Sequence, residues 1–335
     1  MNKQSNPPTA LESNERTELP LVSLIIPMLN EREGLDALFA AIREGIQNVP
    51  ARFELVVVDD GSTDGTREVI EQKLAPFPQW QIVVLSRNFG QQAAYRAGLG
   101  EARGEAVIFL EADLQDPPQL IGELVARWQA GFKVITAVRT SRAERGLRRW
   151  AFDLYHVIFH RLTDRVMPAN SGMYSLVDRV VTNHLLAAPE VNLFLPALKN
   201  WFGYSQTTVP YARLERAAGK PKQSFRKLLN YGLNGLLSFS DVPLQWIGVT
   251  GIVVSLVSFG YAAFLAAIKV AQLLGLFTSL EVKGFTTLAV AVFCLSGIQL
   301  LCLGIVGQYL SRIYREIKGR PLFVIEKKLQ SNEHK

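Results

Sequence analysis

Leu55-Val56-Val57-Val58-Asp59-Asp60-Gly61-Ser62-Thr63-Asp64-Gly65 decides the fold of this 335-residue chain. An apolar, β-branched run stops abruptly at two carboxylates and a Gly/Ser/Asp turn. A buried strand that ends this way is a strand of an α/β sheet reaching its ligand-binding edge. The stretch after it, Thr66–Lys73, reads as a helix, with Asp64 placed to cap it.

Outward from this stretch the pattern repeats. Expected strands are Leu21–Ile26, Leu55–Val58, Ile82–Leu85, Ala106–Leu110 and Val134–Val138. Expected helices are Gly34–Gln47, Thr66–Lys73, Gln91–Ala102, Pro118–Ala130 and Leu147–Leu162. Alternation of this kind predicts an α/β fold with a mostly parallel, doubly wound sheet. The polar clusters Pro27-Met28-Leu29-Asn30-Glu31, Asp59-Asp60-Gly61-Ser62, Ser86-Arg87-Asn88-Phe89-Gly90 and Glu111-Ala112-Asp113-Leu114-Gln115-Asp116 each follow a strand. Four loops therefore converge on one edge.

The residue types in these loops carry distinct chemistry. Asp59 ends an apolar strand, a poor position for a cap, and reads as an acceptor for ribose hydroxyls or a base edge. Glu111 and Asp113 lie two apart beyond a buried strand, so both can address one hard cation, with Gln115 adding a carbonyl oxygen. Such a cation would neutralise charge on phosphate oxygens. A basic series follows: Arg139, Arg142, Arg145, Arg148, Arg149, Arg213, Arg216, Lys220 and Lys222. Arginine pairs its N–H donors with phosphate. Most of the series fits a solvated or headgroup-facing surface equally well, but Arg139 ends an expected strand and belongs with the site.

Two uncharged apolar stretches, Val242 to Ile268 and Gly284 to Ser311, exceed the roughly 20 residues a membrane-crossing helix needs. The organisation expected is a flexible tail over 1–20, a catalytic domain over 21–222, an amphipathic juxtamembrane helix over 223–241, a hairpin over 242–311 with spans at about 244–268 and 285–311, and a tail over 312–335. Residues 1–20 lack the apolar core of a signal peptide. Lys and Arg flank the hairpin on both outer sides, while the connector holds only Lys269 and Lys283, so both termini are expected in the cytoplasm of a multi-pass inner-membrane protein. The net charge of +6 suits anionic headgroups. No recognition-helix or RNP pattern points to nucleic acid as a partner. Cys294 and Cys302 both lie in the second apolar stretch and form neither a disulfide framework nor a zinc site. Gly251 with Ser255, and Gly297, Gly304 and Gly307, permit close helix packing, within the hairpin or in a homo-oligomer.

Taken together, Val22 to Glu31, Val57 to Asp64, Arg87-Asn88-Phe89-Gly90 and Ala112 to Pro118 resemble family 2 glycosyltransferases of the GT-A fold. The C-terminal pattern from Gly307 to Pro321 is similar to polyprenyl-phosphate glycosyltransferases of the GtrB type, relatives of dolichol-phosphate mannose synthase. The resemblance implies a Rossmann-like GT-A domain and inverting transfer of one sugar from a nucleotide sugar (UDP-glucose on family grounds) to polyprenyl (undecaprenyl) phosphate. It implies a nucleotide site at Pro27, Asn30, Glu31, Asp59, Asp60, Arg87, Asn88 and Asp113. It implies Mg²⁺ or Mn²⁺ at Glu111, Asp113 and Gln115, and the lipid phosphate at Arg139, Arg148, Arg149, Arg213, Arg216 and Lys222. Asp113 and Arg139 would be the catalytic groups. Two positions depart from the pattern. Glu111 stands where aspartate is usual, and Asn170-Ser171-Gly172-Met173-Tyr174 carries no carboxylate where relatives place a base. A processive polysaccharide synthase, or a catalytically silent membrane scaffold, remains open on these residues alone.

Overall fold

The computed structural model describes residues 18–140, 168, 170–190, 194–212, 242–274 and 285–331. The chain divides into two compact units, Met1–Gly232 with Arg320–Lys335, and Leu233–Gly319.

The first unit is built on an 8-stranded sheet in the order β7-β5-β6-β4-β1-β2-β3-β8. Its strands are β1 (Leu21–Met28), β2 (Arg52–Asp59), β3 (Trp80–Leu85), β4 (Ala106–Phe109), β5 (Val134–Arg139), β6 (Ser171–Asp178), β7 (Gln206–Tyr211) and β8 (Ile325–Gln330). Pairs β1–β2, β1–β4, β2–β3 and β5–β7 are parallel. Pairs β4–β6, β5–β6 and β3–β8 are antiparallel, so the sheet is mixed with a parallel centre.

Helices α1 (Leu35–Ile46), α2 (Thr66–Leu74), α3 (Gln91–Glu101), α4 (Ile121–Gln129), α5 (Arg179–Ala187) and α6 (Leu195–Trp201) cover this sheet. Alternate residues of β1, Val22, Leu24, Ile26 and Met28, join one buried cluster with Leu35, Leu38, Phe39 and Ile42 of α1. The spacing of those α1 residues is the apolar stripe of a surface helix. On the other face Ile25 meets α3, whose small residues let it lie close. A Cβ on Gly98 would come within 2.5 Å of Ile25 Cγ2 and 2.9 Å of Val58 Cγ2.

Several elements differ from the sequence reading, each for a physical reason. β1 runs on through Pro27 to Met28 rather than stopping at Ile26. Residues 25 and 27 present their backbone groups to the β4 side, and pairing there has already ended at Ile25↔Phe109. The missing N–H of Pro27 therefore breaks no ladder bond. β7 contains Pro210, which reads against a strand, but β7 is the sheet edge, where proline is tolerated. Residues 325–330, expected within a tail, form β8 along β3. Ile325 and Leu329 are separated there by Glu326, Lys327 and Lys328, and charges of this kind keep an edge strand from recruiting other chains. β6, α5 and α6 were also not anticipated. The expected helix Leu147–Leu162 and juxtamembrane segment 223–241 lie outside the described residues.

The second unit holds α7 (Val242–Leu273) and α8 (Phe285–Ile317). Among the described residues, one segment is long and apolar enough to cross a membrane by length and composition, the 19 residues Ile247–Leu265 of α7.

Candidate active site

The loops after β1, β2 and β3 are stitched to one another. Asn30 accepts from Thr63 N through Oδ1 at 2.8 Å, and its own N–H donates to Ser62 Oγ at 3.0 Å. Glu31 N donates to Thr66 Oγ1 at 3.0 Å, and Arg32 N to Asp64 Oδ2 at 3.2 Å. Asp64 Oδ1 also accepts from Thr66 N at 2.9 Å, a turn bond leading into α2, whose N-cap is Gly65 rather than the Asp64 the sequence suggested.

Asp59 and Asp60 divide their work. Asp59 is fully buried and accepts from Ser62 N at 2.9 Å and from Arg67 Nε at 3.0 Å. Arg67 in turn lies 3.6 Å from Glu326 of β8. Asp60 gathers the amides of Phe89 at 2.7 Å and Gly90 at 3.0 Å, which orders the loop carrying Arg87 and Asn88. Burial raises the Asp60 carboxyl above its usual range, against the pull of those two donors. Arg87 stacks over the Phe89 ring at 4.3 Å, and both Arg87 and Asn88 are exposed.

Gly61 is where two of these loops touch. Its φ is +77°, and a Cβ there would lie 2.7 Å from Arg87 C and Asn88 N. Gly61→Ala should therefore cost about 1–3 kcal/mol through backbone strain and displacement of the Arg87 loop. Chemical denaturation of the two proteins checks this, and unchanged stability would remove the constraint assigned to Gly61.

A second cluster forms after β4 and β5. Glu111 Oε1 accepts from Gln91 Nε2 at 3.2 Å, and Asp113 Oδ1 accepts from Gln115 N at 3.2 Å. Asp116, 1% exposed, accepts from the Tyr211 hydroxyl. Arg139 donates from Nε to that same hydroxyl at 3.0 Å, and its Nη2 lies 3.7 Å from Asp116 Oδ1. The Tyr174 ring packs edge-on against Tyr211, and its hydroxyl donates to Pro117 O at 2.9 Å. Burial, then the Asp116 and Asp113 charges, push Glu111 up to about 7. Burial works against the Arg139 charge, but Tyr211, Asp116 and Glu111 around it raise its proton affinity and keep it a cation.

The positive-φ residues other than glycine, among those described, are Asn30, Leu114 and Asn170. All three lie in loops at the sheet edge where these clusters sit. Left-handed backbone at a leucine costs of order 1 kcal/mol or more, and such strain collects at functional sites.

The structure thus brings Pro27 and Asp59, at the ends of β1 and β2, together with Asn30, Glu31, Asp60, Arg87 and Asn88 of the linked loops, and places Glu111, Asp113 and Gln115 near Arg139 at the end of β5. Arg148, Arg149, Arg213, Arg216 and Lys222 lie outside the described residues. Sequence reasoning passed over Asp116 and Tyr211. Asp116 was visible as a third carboxylate before Pro117, and nothing in the sequence linked Tyr211 to it.

Residues 23–186 match the family model described as glycosyl transferase family 2. The chain is 39% identical over 305 residues to an uncharacterized glycosyltransferase, sll0501, of Synechocystis sp., covering 91% of this chain and 94% of that one. The chain belongs to glycosyl transferase family 2. It is also 34% identical to the SfII prophage-derived bactoprenol glucosyl transferase of Shigella flexneri, over 93% of this chain and 99% of the relative. Among solved structures, the mannosyltransferase PcManGT of Pyrobaculum calidifontis, in complex with GDP-Man and Mn²⁺, matches with a TM-score of 0.46 at 19% identity, covering 86% of this chain and 88% of that chain.

In this family 2 glycosyltransferase no group of three His, Cys, Asp or Glu side chains gathers into a metal cage among the described residues. The charges of Asp116 and Asp113 act on Glu111 and oppose its ionisation.

Lys199 of α6 lies nearby, 1% exposed, and burial lowers it to about 7 from 10.5. The unfolded chain holds that proton up to 10.5, so between these values it binds more protons than the folded one. Stability should rise with pH across that window. Denaturant midpoints that fall steadily from pH 7.5 to 9.5, in the wild type but not in Lys199→Met, would refute this.

Proposed function

We propose that this glycosyltransferase moves a single sugar from a nucleotide sugar to polyprenyl phosphate at the membrane. The observation that carries the proposal is the pairing of an acidic cluster, Glu111 and Asp113, with a guanidinium fixed by Asp116 and Tyr211 at the same sheet edge. One half suits a cation on a departing diphosphate, and the other suits an incoming phosphate anion. Full-length similarity to bactoprenol glucosyl transferases supports the choice of a lipid acceptor. The apolar segment Ile247–Leu265 supports a membrane location.

The nucleotide is assigned to the linked loops of Pro27, Asn30, Glu31, Asp59, Asp60, Arg87 and Asn88. UDP-glucose is the donor we favour. Glu111, Asp113 and Gln115 would hold Mg²⁺ or Mn²⁺, which when bound supplies charge neutralisation on the leaving diphosphate. Arg139, together with Arg148, Arg149, Arg213, Arg216 and Lys222, would hold the lipid phosphate. A phosphate oxygen attacks the anomeric carbon in line, the nucleoside diphosphate leaves, and configuration inverts. A phosphate monoester has a second pKa near 6, so its oxyanion forms at neutral pH without a base. The absence of a carboxylate over residues 170–174 is therefore compatible with catalysis. Residues 285–311 of α8 would form the second span, with both termini cytoplasmic.

Membranes carrying the protein, given undecaprenyl phosphate and a panel of labelled nucleotide sugars, should place label in the organic phase as a monoglycosylated lipid. Label that stays aqueous with every donor would overturn the proposal. A long polymer would replace it with processive synthesis.

A further inference from the structure

Lys199 is a lysine inside the protein with no carboxylate beside it among the described residues. Its Nζ donates to Ser175 Oγ at 2.7 Å and lies 3.4 Å from Gly172 O. Both acceptors belong to β6, and α6 packs on that strand. Ser175 donates in turn to Met173 O at 2.8 Å, so the contact ties down residues 172, 173 and 175 together. Gly172 is the residue against which Arg139 rests, since a Cβ built there would lie 3.4 Å from Arg139 Nη2. The bond Arg139 N→Asn170 O, at 3.2 Å, joins the same two segments. The start of β6 is thus bonded to Lys199 and borders the guanidinium.

Taking an ammonium out of water costs stability unless a counter-charge repays it. Hydroxyl and carbonyl partners satisfy the donors of Lys199 but supply no counter-charge, so the protein must either bury an ammonium or give up its proton, and both cost stability. A methionine of similar length would fill the same space without that cost. A costly group set directly behind the segment that borders an active-site arginine points to a role in that site.

We infer that Lys199 is a positioning residue for the acceptor side, fixing the Gly172–Ser175 segment so that Arg139 is held where the acceptor phosphate docks. The inference rests on the lipid-phosphate reading above. Lys199 touches no substrate in this arrangement. It acts through β6, on the acceptor and not on the donor, because the donor loops follow β1, β2 and β3.

The test is Lys199→Met in the full-length, membrane-extracted protein, with Ser175→Ala as a second variant that keeps the lysine and removes its closest partner. Thermal unfolding and steady-state transfer from labelled nucleotide sugar to undecaprenyl phosphate are measured on both. Lys199→Met should melt about 5 °C higher than wild type. Its kcat/KM for the lipid phosphate should fall about 10-fold or more while KM for the donor is unchanged. Ser175→Ala should show the same acceptor-selective loss, about 3-fold. A lower melting temperature in Lys199→Met would make Lys199 a stabilising core residue and overturn the inference. Unchanged kcat/KM for the lipid, or equal losses for donor and acceptor, would overturn it as well. These results differ from a wild type that glycosylates no lipid phosphate, which removes the acceptor reading itself.

Discussion

Asp113→Ala is expected to lower sugar transfer at least about 1000-fold, equivalent to roughly 4 kcal/mol of transition-state stabilisation. Asp113 sits with Glu111 in the loop after β4, where its charge raises the cost of ionising Glu111. A diphosphate brought there adds more negative charge, and only a cation can balance it. Asp113 also accepts from Gln115 N, so alanine removes a turn contact along with the charge. Asp113→Asn separates the two effects. An asparagine oxygen accepts the same N–H, so the turn is kept while the charge is lost. Both variants should be inactive at every Mn²⁺ or Mg²⁺ concentration tried, with melting temperatures near wild type for Asp113→Asn. Full transfer by Asp113→Asn would remove the metal role from this residue.

Asp116→Ala is expected to damage both stability and catalysis. The carboxylate is buried and faces a hydroxyl and a guanidinium, and the guanidinium is the group assigned to the acceptor. Removing Asp116 leaves the Arg139 cation only the weaker pull of Glu111, at a cost of about 3 kcal/mol. Arg139 would keep only its hydrogen bond to Tyr211 as an anchor on that side and would lose its fixed direction. Transfer should fall about 100-fold, mostly for the lipid substrate, because misplacement by even 1 Å carries a penalty of that size. Tyr211→Phe should show the same direction at smaller size, about 1–2 kcal/mol in stability, since it deletes one hydroxyl and leaves the charges. Denaturant unfolding and acceptor-dependent kinetics measure both quantities. An Asp116→Ala protein of wild-type stability would mean that the pair carries no weight.

The loops we assign to the donor were legible in the sequence because their signals are local. Asp59 ends its strand, Asp60 and Gly61 follow it directly, and Asp64 accepts from the first amide of the helix next to it. A parallel strand with both faces buried is mostly apolar, so the place where a run such as Leu55–Val58 gives way to carboxylates marks its end. That reasoning placed the loops correctly. It did not show that Asp60 turns inward to hold the Phe89 and Gly90 amides, because that contact spans 29 and 30 residues.

The cluster we assign to the acceptor was much less legible. Tyr211 and Asp116 are 95 residues apart, and the sequence carries no period or spacing that joins them. β6 and β7 were missed because their apolar residues are diluted by Ser, Gly, Gln and Thr, and because Pro210 argues against a strand unless the strand is known to be an edge. β8 was missed because Glu326, Lys327 and Lys328 read as tail, whereas on an edge strand charge is what keeps the sheet soluble.

By itself the amino-acid sequence determined the alternating α/β order, the four polar loops at one edge of the sheet and the apolar stretch that α7 adopts. These follow from burial period and turn chemistry, which act between near neighbours. Only the tertiary structure decided which distant groups share a charge environment: Asp116 with Arg139 and Tyr211, Glu326 with Arg67, and Lys199 behind Gly172. Electrostatic and hydrogen-bond energies depend on distances through space, and those distances exist only once the sheet has set its strand order.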